Sequence, residues 1–305
     1  MKKRDFLSLR DFEKNEIEEL IDLAIQYKSN RETLNILKGK KIALIFQKPS
    51  IRTRVSFEVA INRLGGFSLY LGHKEVQLGI RETVPDIIRV MSRYVDGVIA
   101  RTFSHKDILQ MAKYSSIPII NALSDLFHPC QILADLMTIK EKLGQTKGVN
   151  LVYIGDGNNI AHSWLIGAAK MGINITIVTP PAYKPKEEIV NYAKDISNGN
   201  SLVELHEVPK EVVSKADVIY TDVWTSMGQE DEAYERKKAF YGFRVNRDLI
   251  NLAKKNVLVM HCLPAHRGEE ITDEIIESKE SIVFDQAENR LYTGEAILSY
   301  LFRDR

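Results

Sequence analysis

The chain has 305 residues, 44% of them hydrophobic, with 42 Lys and Arg against 41 Asp and Glu for a net charge of +1. That length suits two domains of roughly 150 residues each, and the near-cancelled charge supplies no global field for nucleic acid or an anionic membrane. Its two cysteines, Cys130 and Cys262, cannot build a disulfide framework, no apolar run reaches the ~18–20 residues of a membrane span, and the basic start lacks a signal core. A cytoplasmic protein with reduced thiols is therefore expected.

An amphipathic helix is predicted over 13–28, where Ile17, Leu20, Ile21, Ala24 and Ile25 share one stripe. Short apolar strands then alternate with helices. The strands are Lys41–Phe46, Phe67–Leu71, Asp96–Ala100 and Pro118–Asn121. Between them lie a helix with Phe57, Ala60, Ile61 and Leu64 on one face, and the helices Pro85–Tyr94 and His105–Tyr114. After a long helix over Pro129–Leu143, the polar, glycine-flanked Gly144-Gln-Thr-Lys-Gly148 marks a domain boundary. The alternation restarts with strands Asn150–Ile154, Asn174–Val178, Asp217–Thr221, Asn256–Met260 and Ser281–Phe284. Its helices are Ile160–Met171, Lys186–Ser197, Asp248–Lys254, Ile271–Ser278 and Ala287–Phe302. The Arg236-Lys237-Lys238 run reads as a solvated helix face. The expected fold is α/β, with two domains, each a mainly parallel sheet flanked by helices.

In an open parallel sheet, ligands sit beyond the carboxyl ends of the strands. Six polar clusters follow predicted strands: Ser50–Arg54, Arg101-Thr102, His128–Gln131, Gly155–Asn159, Asp222 with Ser226-Met227-Gly228, and His261–Pro264. Three lie in each half, so the active site is expected in an interdomain cleft. The alternative gives each cluster its own local turn or cap.

Ser50–Arg54 carries the sharpest anion signal. A strand, a tight loop and a helix start present backbone N–H groups and the positive helix end. Ser50 and Thr53 add hydroxyls, and Arg52 adds a planar donor fork. The segment reads equally well as a helix cap flanked by exposed arginines. Arg101 is a second cation at a strand end, or one half of a surface ion pair. His128 and Gln131, three apart at a helix start with Pro129 in first position, can face one pocket and polarise a carbonyl. Cys130 between them reads as core. Gly155-Asp-Gly-Asn-Asn is like a dinucleotide fingerprint without its third glycine, yet no acid follows from Asn158 to Lys186 to meet a ribose. Asp222 suits a substrate ammonium, or caps the next segment. Cys262 is inert packing unless positive groups surround it. His128, Cys130, His261, Cys262 and His266 are zinc-ligand types, but they lack the usual paired spacing.

Together the segments resemble the aspartate/ornithine carbamoyltransferase family. They are Phe46-x-Lys-Pro-Ser-Ile-Arg-Thr-Arg-x-Ser-Phe-Glu58, Gln77-Leu-Gly79, Arg101-Thr102, Phe127-His-Pro-Cys-Gln131 with Ala134-Asp-Leu136, and Gly155-Asp-Gly-Asn-Asn159. Further along come Asp222-Val-Trp-Thr-Ser-Met-Gly-Gln229, His261-Cys-Leu-Pro-Ala-His-Arg-Gly268 and Glu288-Asn-Arg290. The Ser-Met-Gly and His-Cys-Leu-Pro segments point to ornithine rather than aspartate as acceptor. The resemblance implies carbamoyl transfer from carbamoyl phosphate to the δ-amine of L-ornithine, in arginine metabolism. It implies no metal and no organic cofactor, no nucleic-acid or membrane partner, and a homotrimer or a multiple of trimers. The carbamoyl phosphate domain would span 1–143, with the C-terminal helix 286–305 packing back on it, and the L-ornithine domain 144–285.

The resemblance also implies roles. Ser50, Ile51, Arg52, Thr53, Arg101 and Arg290 would hold the phosphate. Arg101, Thr53 and His128 would polarise the carbonyl oxygen. Gln131 and the Leu263 carbonyl would orient the amide, with Pro129, Cys130 and Cys262 beside it, and Gln77 would reach into a neighbouring subunit's site. Asn159, Asp222, Ser226 and the Met227 backbone would grip ornithine, with Cys262 near the δ-amine. Ile51 stands where the family usually has threonine, so a side-chain hydroxyl is lost and weaker phosphate binding is expected. A carbamoyltransferase with another acceptor (aspartate, putrescine or an N-acylated ornithine), a nicotinamide-dependent dehydrogenase, and a non-catalytic zinc or ligand-binding protein remain as alternatives.

Overall fold

The computed structural model describes residues 3–30, 35–226 and 228–303. Nine strands form two sheets, parallel throughout among the described residues. The first contains β1 (Lys41–Phe46), β2 (Phe67–Gly72), β3 (Gly97–Arg101) and β4 (Ile119–Leu123), in the order β2-β1-β3-β4. The second contains β5 (Asn150–Ile154), β6 (Asn174–Val178), β7 (Val203–His206), β8 (Val218–Thr221) and β9 (Leu258–His261), in the order β7-β6-β5-β8-β9. The chain divides into two compact units, Met1–Met137 with Glu288–Arg305, and Thr138–Ala287. The division falls inside the Pro129–Leu143 helix, ahead of the 144–148 loop.

The central strands are continuous apolar runs because both faces are covered. β1 is buried from Ile42 onward and β3 throughout. In the first unit Ala43, Ile45, Val98 and Ala100 pack with Ile88, Ile108 and Met111 from the helices Val84–Tyr94 and His105–Tyr114. In the second, Val152, Ile154, Ile219 and Val259 pack with Leu249, Ile275 and an aromatic group of Trp224, Phe240 and Phe243. Strand order reverses between β1 and β3 in one sheet, and between β5 and β8 in the other. Loops diverge at such switch points and leave a crevice there. The polar clusters occupy these ends: Ser50–Arg54 after β1, Arg101 ending β3, Gly155–Asn159 after β5, Asp222 after β8 and Cys262 after β9.

Four sequence expectations change. Ser281–Phe284 is not a strand; Ser281 makes an isolated bridge to Val259, and a helix runs from Val283 to Phe302. Buried Val283, Gln286, Asn289 and Arg290 recur at helical spacing, so the 3.6-residue period wins over a short apolar run. The helices expected over Asp248–Lys254 and Ile271–Ser278 shrink to single turns, Arg247–Ile250 and Asp273–Ile276. The edge strand β7 was not expected, and the basic run lies on the helix Ala233–Ala239. Arg236 in that helix is buried, while Lys237 and Lys238 are exposed, so the basic run is not a uniformly solvated face. Among the described residues no helix is long and apolar enough to cross a membrane.

Candidate active site

In the first unit the helix Ile51–Arg63 begins at the end of β1's loop, capped by Ser50. Ser50 Oγ accepts from the Thr53 amide at 3.3 Å and donates to Thr53 Oγ1 at 3.0 Å. The amides of Ile51 and Arg52 therefore sit at the positive end of a capped helix. Arg54 is turned aside, its guanidinium 3.7 Å from the centre of the Tyr70 ring and its Nε 3.0 Å from Glu58. Arg290, from the last helix, donates through Nη2 to Thr53 Oγ1 at 3.4 Å and through Nη1 to Gln131 Oε1. Gln131 Nε2 in turn donates to Asp135 Oδ1 at 2.9 Å. Thr53, Gln131 and Arg290, which lie far apart in sequence, are thus wired into one group.

His128 is buried beside it, and its pKa is held well below the ordinary imidazole range, first by burial and then by the positive charges of Arg290 and Arg101. The ring is neutral and can donate a hydrogen bond without carrying charge. Pro129 opens the following helix. Cys130 points its thiol at the Asn121 carbonyl at 3.3 Å, and burial pushes its pKa up to about 12. It is an inert core thiol. Gln77 is exposed with a left-handed backbone, φ 43°. The carbonyl of the next residue, Leu78, accepts from Gln47 Nε2 at 3.3 Å.

In the second unit the Gly155–Asn159 loop turns tightly. A Cβ on Gly157 would lie 2.2 Å from Pro185 N, so only glycine fits. Asn158 Oδ1 caps the helix Asn159–Met171 by accepting from the amides of Ile160 at 2.9 Å and Ala161 at 3.3 Å, while its Nδ2 donates to Asp222 Oδ2 at 2.8 Å. Buried Asp222 also accepts from the Val223 amide at 2.8 Å and from Cys262 Sγ at 2.9 Å. Asn159 is the first helical residue, half-buried. The Ser226 amide donates to Gln229 Oε1 at 3.1 Å. Met227 lies outside the described residues. Leu263 has φ 56° and precedes a cis peptide to Pro264. Its amide donates to His261 Nδ1 at 2.8 Å, which leaves His261 Nε2 as the donor to buried Glu270 Oε1 at 3.0 Å.

Donor atoms of Asp222, His261 and Cys262 lie within 4.8 Å of one another. Both ring nitrogens of His261 are committed to hydrogen bonds, so this group is a network rather than an open ligand set. Sequence reasoning assigned no role to Asp135, Asn158, Glu270, Asp156 or Arg236. Arg236 Nη1 meets Asp156 Oδ2 at 3.0 Å inside the second unit, and burial raises the Asp156 pKa to about 6 despite that arginine. The Asp156 signal was present in the glycine loop. Nothing in the Arg-Lys-Lys run marks its first member as buried.

Two family models match the chain. The carbamoyl-P binding domain of aspartate/ornithine carbamoyltransferase matches residues 4–141, and the Asp/Orn binding domain of the same family matches 147–301. The ornithine carbamoyltransferase of Thermococcus kodakarensis is 51% identical over 301 residues, covering 97% of this chain and 95% of that protein. The anabolic ornithine carbamoyltransferase of Pyrococcus furiosus is 51% identical over the same shares of each chain. Among solved structures, ornithine carbamoyltransferase from Pyrococcus furiosus superposes with a TM-score of 0.96 at 49% identity, covering 99% of this chain and 98% of that one. Anabolic ornithine carbamoyltransferase from Campylobacter jejuni gives 0.93 at 40% identity, covering 99% and 100%. With the two family models together spanning nearly its whole length and relatives identical to it at about half of their positions, the chain belongs to the aspartate/ornithine carbamoyltransferase family.

Proposed function

We propose that the protein transfers the carbamoyl group of carbamoyl phosphate to the δ-amine of L-ornithine, giving L-citrulline and phosphate. The observation that carries this reading is a division of labour. One unit gathers Thr53, Gln131 and Arg290 at a capped helix start, and the other gathers Asn158 and Cys262 around the Asp222 carboxylate. The first set suits a phosphate beside a small amide. The second suits an amino acid's ammonium.

The phosphate is held by the amides of the 50–53 turn with Arg52, Arg101 and Arg290. Neutral His128, Thr53 and Arg101 meet the charge that develops on the carbonyl oxygen, an oxyanion-hole role. Gln131 and the Leu263 carbonyl orient the carbamoyl amide. Asp222 receives the α-ammonium of ornithine, with Asn159, Ser226 and Met227 completing that grip. The lone pair of the neutral δ-amine forms the new C–N bond, the C–O bond to phosphate breaks, and the amine proton leaves on the phosphate. An amine has a reference pKa of ~10.4, so the deprotonated form must be selected on binding; Cys262 is the group placed to assist. Bringing the two substrates together excludes water, which competes for the carbamoyl carbon.

An N-acylated ornithine has no α-ammonium and leaves buried Asp222 without its counter-charge; putrescine keeps a second ammonium but has no α-carboxylate for Asn159, Ser226 and Met227 to grip. The acceptor is therefore free ornithine. The working form is a homotrimer or a multiple of it. Ile51, Val55 and Val59 recur every four residues on an exposed helix face, and Phe67 on the edge strand β2 is 62% exposed. Such a face suits a second copy of the chain, with Gln77 extending toward it. The setting is cytoplasmic arginine metabolism, where both thiols stay reduced. A citrulline colour assay with ornithine, putrescine, aspartate and N-acetylornithine in parallel tests the reading; turnover of any acceptor in preference to ornithine overturns it.

A further inference from the structure

We infer that Arg236 is a positioning residue for ornithine, clasping both ends of the Trp224–Glu232 segment, which carries Ser226, onto the Gly155–Asn159 loop. The inference rests on the reading of Asp222 and Ser226 as ornithine ligands and goes beyond it. Arg236 belongs to the helix Ala233–Ala239 and is buried, in contrast to the two lysines that follow it. Its Nη1 donates to the Trp224 carbonyl at 3.1 Å and to Asp156 Oδ2 at 3.0 Å, and its Nε donates to Glu232 Oε2 at 2.9 Å. Trp224 lies just before Ser226, and Glu232 lies beyond it. One guanidinium therefore holds the segment at both ends.

The third partner closes a circuit. Asp156 sits in the Gly155–Asn159 loop, whose Asn158 donates to Asp222 at 2.8 Å, two residues before Trp224. The face of the Arg236 guanidinium covers the Tyr183 ring at 4.8 Å, and the Tyr183 carbonyl accepts from Gly157, in the same loop, at 2.8 Å. Arg236 thus fixes where Asp222 and Ser226 stand without reaching either. A planar fork is needed to serve three acceptors in different directions, and lysine offers only a point charge. Removing the arginine leaves the Asp156 carboxylate buried near Asp222 and Glu232 without its counter-ion, which favours opening of the segment.

The test uses the intact protein and steady-state kinetics with each substrate varied. Arg236→Gln is expected to raise the ornithine KM by about tenfold or more while the carbamoyl phosphate KM stays within about twofold, with Arg236→Lys in between. Asp156→Asn added to Arg236→Gln is expected to bring the ornithine KM part of the way back, because it removes the buried carboxylate left without a counter-ion. Should Arg236→Gln fail to fold, Arg236→Lys decides. A second readout does not use the reaction: in a Trp164→Phe background Trp224 is the sole tryptophan, and its emission should shift to the red when Arg236 is replaced. Equal rises in both KM values, or an unchanged ornithine KM with unchanged Trp224 emission, overturn the inference. If the unmutated protein makes no citrulline, the reading of the reaction fails, and the Trp224 emission alone decides the clasp.

Discussion

The thiol of Cys262, at the end of β9, donates to Asp222 Oδ1 at the end of β8 across 2.9 Å. The bond ties the ends of the two strands together and makes the thiol one of the donors that hold Asp222 in place. Cys262→Ala should leave Asp222 with Asn158 and Val223 as donors and raise the ornithine KM roughly 2- to 12-fold, the worth of one hydrogen bond from a weak thiol donor. Cys262→Ser keeps a donor and should stay closer to the unmutated KM. Both should lower turnover. Initial rates with ornithine varied at saturating carbamoyl phosphate check this; a Cys262→Ser enzyme with the unmutated turnover and pH profile removes the thiol from the chemistry.

Arg52 stands in the first turn of the helix capped by Ser50. Charge-assisted hydrogen bonds are worth about 1.5–3 kcal/mol each, so Arg52→Ala should weaken carbamoyl phosphate binding roughly 10- to 150-fold. Calorimetric titration measures it directly. Unchanged affinity removes the anion site from this turn.

Ile51 is 82% exposed at that same helix start. Within the single chain its side chain packs little, so replacing it costs the fold of that chain little. Ile51→Thr restores a hydroxyl and should tighten carbamoyl phosphate binding roughly 2- to 12-fold, with no change in the ornithine KM. The same titration, run beside the unmutated protein, decides the sign.

Glu16 accepts from Arg4 Nη2 at 2.8 Å and from the Tyr300 hydroxyl at 2.7 Å. The hydrogen bond with Arg4 is the main cause that lowers its pKa from 4.5 to about 2, against burial. A depressed carboxylate stabilises the fold above its unfolded pKa, and the contribution disappears as pH falls from about 4.5 toward 2. Glu16→Gln should therefore lower Tm at pH 7 by a few degrees, at about 2–4 °C per kcal/mol, and the gap should close on acidification. Differential scanning calorimetry across that window measures the gap; a gap that persists unchanged at the acid end contradicts the assignment.

The strands that position the site were legible because they are covered on both faces. β1, β5 and β6 run as predicted, and the helices His105–Tyr114 and Pro129–Leu143 begin and end where the sequence places them. Edge elements were harder to read. β7, Val-Glu-Leu-His, is only half covered, so its apolar signal is diluted. Ser281–Phe284 looked like a strand because four residues cannot display a helical period; the period appears only when Gln286, Asn289 and Arg290 are counted as buried, which polar side chains conceal. The same blindness hid Arg236 and Glu270. Composition marks a charged residue as solvated, and only the partners supplied by distant segments show otherwise.

Arg290 belongs to the last described helix yet bonds to Thr53 and Gln131, 237 and 159 residues earlier in the chain. The first unit is accordingly built from both termini, Met1–Met137 and Glu288–Arg305. During synthesis the early sheet can form long before its final helix emerges from the ribosome. Until then Thr53 and Gln131 lack their Arg290 donor, so on the proposed reading a chain halted before that helix is translated is without one of the cations that would hold carbamoyl phosphate.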